Sequence, residues 1–123
     1  MSAAGVALVL LAALAVFQGL LVAGAPLGRF AWGGQHEVLP TNLRVGSVVS
    51  IALYATFAVL ILQAAGTVSL LPGGFVEVAT WVLTGYFVLG IGMNAISRSR
   101  PERLTMTPVV ALLAGSCLVL ALG

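Results

Sequence analysis

Residues 3–24 read AAGVALVLLAALAVFQGLLVAG, and a single polar side chain, Gln18, interrupts them. A helix that crosses the hydrocarbon core of a bilayer needs about 20 apolar residues, so this run is long enough to span unaided. Further apolar runs follow at about 45–65, 75–96 and 107–122. Lipid offers backbone N–H and C=O groups no partners, so runs of this kind cross as helices. The chain is therefore expected to be all-α. Its architecture is expected to be a polytopic membrane protein, a four-transmembrane-helix bundle with residues 1–123 as one domain.

Composition supports the same reading. Only 7% of residues are charged and 61% are hydrophobic, with a mean hydropathy of +1.19. A soluble globule carries about 25% charged residues, so this chain has too little polar surface to face water and its excess must meet lipid. The net charge is +2, but five arginines without a lysine make no basic stripe for nucleic acid, which is not an expected partner. The lone cysteine, Cys117, lies in the last apolar run and forms no intrachain disulfide.

The arginines set an expected orientation. Arg29 and Arg44 flank the first connection, Arg98, Arg100 and Arg103 fill the third, and the second has none. Basic loops stay on the cytoplasmic side. The expected topology is therefore N-out/C-out, with Phe30 and Trp32 at the inner interface and Phe75 and Trp81 at the outer one. Ala23-Gly24-Ala25 resembles a signal-cleavage site, but Met1-Ser2 has no basic residue and the apolar run is long for a signal peptide. The run is read as a retained span.

Local patterns refine the elements. Ala15, Gly19 and Ala23 make a small-residue face suited to close helix approach. Glu77 is expected in the first turn of the third helix, where the dipole favours a carboxylate. Thr107 reads as an N-cap with Pro108 at the first helical position, which leaves a fourth span of only 15 residues unless the helix starts earlier, near Arg103. Residues 40–49 and 101–110 share Pro, Leu and two Val at an offset of 61, the pattern of a parallel duplication, although apolar runs align readily by chance.

Residues 25–43, APLGRFAWGGQHEVLPTNL, are far longer than the two to eight residues that helix connections in bundles take. They mix glycines with apolar side chains, so a long structured first loop over the cytoplasmic mouth is expected. Its candidate ligand-binding residues are Arg29, Trp32, Gln35, His36, Glu37, Asn42 and Arg44. His36 is the one histidine, open to proton handling or to plain interfacial hydrogen bonding; Glu37 is expected to pair with Arg29 or Arg44. In the third span Tyr86, Gly90 and Asn94 share a face, so Asn94 either contacts a ligand or bonds to a neighbouring helix. Arg98 and its neighbours could clamp a headgroup, and positive-inside retention explains them as well.

No phosphate-binding loop, Ser-His-Asp set, carboxylate pair or metal-ligand cluster occurs. No enzyme activity, cofactor or metal is expected. Two functions remain: a non-catalytic binding or accessory subunit acting through its cytoplasmic face, or a small-solute or ion transporter built as a homo-oligomer. The expected partners are the lipid bilayer, including anionic headgroups, and a second copy or a larger membrane complex.

Gly24-Ala25-Pro26-Leu27-Gly28-Arg29-Phe30-Ala31-Trp32-Gly33-Gly34, then Leu39-Pro40 and Leu43-Arg44-Val45-Gly46-Ser47, resembles small four-span membrane proteins of high-GC Gram-positive (actinobacterial) bacteria. Asn94, Ser97-Arg98-Ser99 and Glu102-Arg103 fit the same group, itself functionally uncharacterised. The resemblance implies a bacterial cytoplasmic membrane. Small multidrug exporters are set aside because their first span carries a glutamate. Dual-topology fluoride channels are set aside because the charge bias here is strong.

Overall fold

In the computed structural model, residues 2–123 are described, and all their regular structure is helical. Helix α1 spans Ala3–Val22, α2 Thr41–Ala64, α3 Gly73–Ala95 and α4 Arg100–Leu122. Each is long and apolar enough to cross a membrane. Only 17–28% of each helix's most apolar stretch is buried within the chain. The remaining apolar side chains, among them Val48, Val82 and Val119, face outward and need lipid or protein around them.

Helix ends are set by specific residues. Gly24 and Gly66 stop α1 and α2 at φ +95° and +83°, a conformation costly for residues with a Cβ. In both, the next N–H reaches back to close the turn: Ala25 N to Leu20 O, and Thr67 N to Leu62 O, each at 2.9 Å. Gln63 ties the α2–α3 connection, its Oε1 accepting from Leu70 N at 3.1 Å and Leu71 N at 2.8 Å.

Two expectations about ends are corrected. The N-cap of α4 is Ser99, whose hydroxyl accepts from Glu102 N, and Thr107 and Pro108 lie inside the helix. Pro101 fits there because the first N–H groups of a helix have no intrahelical partner. The resulting 23 residues rise about 34 Å, enough for a full bilayer, in line with the earlier helix start that the short span called for. Helix α3 starts at Gly73, after Pro72, which places Glu77 beyond the first turn.

The chain folds as two hairpins, α1–α2 and α3–α4, with α2 and α3 the least intimate pair of neighbours. The tight core lies in the half nearer the termini: Ala4, Ala7 and Leu11 meet Leu113, Ala114 and Cys117. The expected small-residue face of α1 is not its packing face. A Cβ on Gly19 would meet nothing within 4 Å, and the buried positions are Ala4, Ala7, Leu11, Gln18 and Leu21. All five arginines gather at the opposite end, where α1 and α3 finish and α2 and α4 begin.

Candidate functional site

The first connection is folded onto that arginine-bearing end as a 3₁₀ turn, Gly28–Phe30, and a tight turn, Trp32–Gly34, whose three residues all have positive φ. Gly28 N donates to Glu37 O at 2.8 Å, closing the loop on itself. A side chain at Gly28 would collide with the carbonyl oxygens of His36 and Glu37. Leu39 is buried and anchors the return to α2. Arg44 Nε donates to Leu39 O at 2.8 Å, and its guanidinium packs against Gly24.

The loop is pinned to α4 by the cap of that helix. Ser99-Arg100-Pro101-Glu102 has the capping-box pattern, in which the glutamate normally returns to the cap residue's own N–H. Here Ser97 Oγ takes that N–H at 3.2 Å. Glu102 is thereby freed to reach across, and its Oε2 accepts from Gly33 N at 2.9 Å. Ser99 Oγ also donates to Arg29 O. Trp32 sits between these anchors at φ +53°, a backbone state that costs on the order of 1–3 kcal/mol for a non-glycine residue. Its indole Nε1 donates to Ser47 Oγ at 3.4 Å and its ring lies over Gly46.

Beneath the loop is a cleft of about 530 Å³. Trp32 and Glu102 close one end, Tyr54 and Asn94 line its wall, and Leu89 and Met93, both exposed, edge its mouth on the outer side of α3. A side pocket reaches Gln18, which is 8% exposed. Gln18 Nε2 donates to Tyr54 Oη at 3.4 Å, while its Oε1 is buried without a partner. Tyr86 borders both the cleft and an apolar groove of about 350 Å³ running along the α2–α3 seam past Phe57 and Val82. Tyr86 and Phe57 pack at 5.5 Å between ring centroids.

Of the residues singled out from sequence, the fold brings Trp32, Tyr86 and Asn94 together around the cleft. The others are elsewhere. Gln35, His36 and Glu37 are exposed on the outer surface of the loop, and Asn42 is exposed in the first turn of α2. Arg29 lies against the Phe30 ring at 5.0 Å, Arg44 serves the loop backbone, and Arg98 is exposed between α3 and α4. Among the described residues Glu37 pairs with neither Arg29 nor Arg44, because each guanidinium is turned to another contact. Asn94 bonds within its own helix, Nδ2 to Gly90 O at 2.8 Å, instead of across to a neighbour.

Glu102, Tyr54 and Gln18 are not among the candidate ligand-binding residues that the sequence offers. The Ser-x-x-Glu spacing was the available signal for Glu102. It pointed to a cap and not to a cleft. Comparison with protein families, with curated proteins and with solved structures finds no match.

Proposed function

We propose that this protein is a non-catalytic binding or accessory subunit of a bacterial cytoplasmic membrane, acting through its cytoplasmic face. In this reading both termini lie outside the cell and the arginine-bearing end, with its folded loop, faces the cytoplasm. The arginine asymmetry supports that sidedness, since basic loops resist translocation. The observation that carries the binding reading is the cleft itself. It has a preformed polar end, held by the contacts of Trp32, Gly33 and Glu102, and a mouth beside the exposed Leu89 and Met93. Ligand sites are commonly concave, mostly apolar and furnished with a few fixed polar groups.

The alternative, a homo-oligomeric transporter, draws on the exposed apolar faces, which could equally cover one another. Within one chain, however, the half nearer the termini is filled by Ala7, Leu11, Ile61 and Leu113, each buried to 2% exposure or less, so a single bundle offers no passage through that half.

Flux measurements separate the two. Purified protein in proteoliposomes is expected to carry no ion or solute across the bilayer above the level of empty vesicles, and to be monomeric by mass in nanodiscs. Protein-dependent flux from a defined homo-oligomer would overturn the accessory reading.

A further inference from the structure

Trp32 Nε1 donates to Ser47, while Asn94 Nδ2 and Gln18 Nε2 each give one N–H, to Gly90 and Tyr54. Two acceptors at this end of the cleft stand out. Gln18 Oε1 is buried and unpartnered. Glu102 is 8% exposed and lines both the cleft and its side pocket, with only Oε2 bonded to protein. Among the described residues no arginine pairs with it. The nearest in sequence with a polar contact, Arg103, donates to Ser97 O at 3.1 Å. The first turn of α4 and Gly33 N compensate this carboxylate in part, but no full positive charge is paired with it, and a ligand can supply one.

The surroundings narrow the ligand further. Trp32, Tyr54 and Tyr86 present aromatic rings to the same space, and aromatic faces attract cations. Tyr86 also borders the separate apolar groove between α2 and α3, which reaches Phe75 and offers room for a hydrocarbon chain and not for a second charge. We infer that the cleft binds an amphiphilic ammonium compound. Its N–H groups are received by Glu102 and Gln18 and its apolar chain lies in the α2–α3 groove. The inference rests on the binding reading above and names its substrate class. It also assigns the cleft a cationic ligand, distinct from the anionic headgroups that the arginines would attract at the outer rim.

The test uses full-length protein with Trp81→Phe in phospholipid vesicles, which add no tryptophan, so that tryptophan emission reports Trp32 alone. Octylammonium is titrated against two chain-matched controls, octanol and octanoate. The expected result is a saturable change in Trp32 emission with octylammonium, at least tenfold tighter than with either control. Glu102→Gln keeps an oxygen to accept from Gly33 N while removing the charge, and is expected to weaken octylammonium binding at least tenfold. Equal binding to the Gln variant, or octanoate or octanol binding as tightly as octylammonium, would overturn the ammonium assignment and leave a binding cleft standing. The ligand series in the Trp81→Phe protein decides the matter even if the Gln variant does not fold. Silence of Trp32 toward all three amphiphiles would overturn the inference together with the binding reading.

Discussion

Gly46 leaves space that the Trp32 indole fills. A Cβ at that position would lie 2.8 Å from Cη2 and 2.9 Å from Cζ2 of the ring, closer than real side chains approach. Trp32 is also held at a positive φ, so displacing the ring removes a contact that helps to hold a strained backbone. Gly46→Ala is therefore expected to displace the indole, break its bond to Ser47 and alter Trp32 emission in the Trp81→Phe background. Gly19→Ala is the matched control, since a Cβ there meets nothing within 4 Å. It is expected to leave that emission unchanged and to raise thermal stability, because alanine is favoured over glycine in a helix by about 1 kcal/mol. The pair reverses the expectation from sequence, which placed Gly19 on a packing face. Small residues at four-residue spacing permit close approach without requiring it, and here the neighbouring helix is met by Ala4, Ala7 and Leu11 instead.

The start of α4 is the element on which the loop depends. Ser99 caps the helix and donates to Arg29 O, and three residues later Glu102 holds Gly33. Loss of an N-cap side chain costs about 0.5–2 kcal/mol, so Ser99→Ala is expected to lower the thermal midpoint and to speed amide exchange at Glu102 and Arg103. The same exchange experiment should show faster exchange at Gly33, because the contact that steadies its acceptor is weakened; unchanged exchange in the loop would separate it from the cap. The four helices were legible in the sequence because bilayer thickness demands long apolar runs, and those runs were unmistakable from Ala3 onward. The first turns of α4 were not. Arg100, Pro101, Glu102 and Arg103 carry three charges and a proline, a composition that reads as solvated connection until Ser99 is seen to cap it. For the same reason Glu102 was passed over as one more loop charge. Trp32, Tyr86 and Asn94 were found because aromatic and amide side chains are conspicuous among aliphatics. His36, Glu37 and the arginines drew attention by type alone, and type does not say which side of a loop a residue occupies.

At the scale of the whole molecule the two ends differ in construction. The half nearer the termini has a filled centre, with Ala7, Leu113 and Cys117 at 0% exposure, although open pockets of about 400 and 600 Å³ indent its end. The opposite half holds the arginines, the pinned loop and the cleft. In the proposed reading the first half anchors the chain in the bilayer and the second binds at the membrane surface. Buried cores transmit little tolerance for volume change, whereas a preformed cleft accepts a ligand with little rearrangement. The proposed role of the cleft depends on which side that second half faces. Single cysteines placed by Gln35→Cys in the loop and Ser69→Cys in the α2–α3 connection, both exposed positions, in a Cys117→Ala background, report it directly with a membrane-impermeant maleimide. In intact cells the expected result is labelling at position 69 and none at position 35, with the two exchanged in inside-out vesicles. Labelling of position 35 from outside intact cells would contradict the account and place the cleft on the outer face.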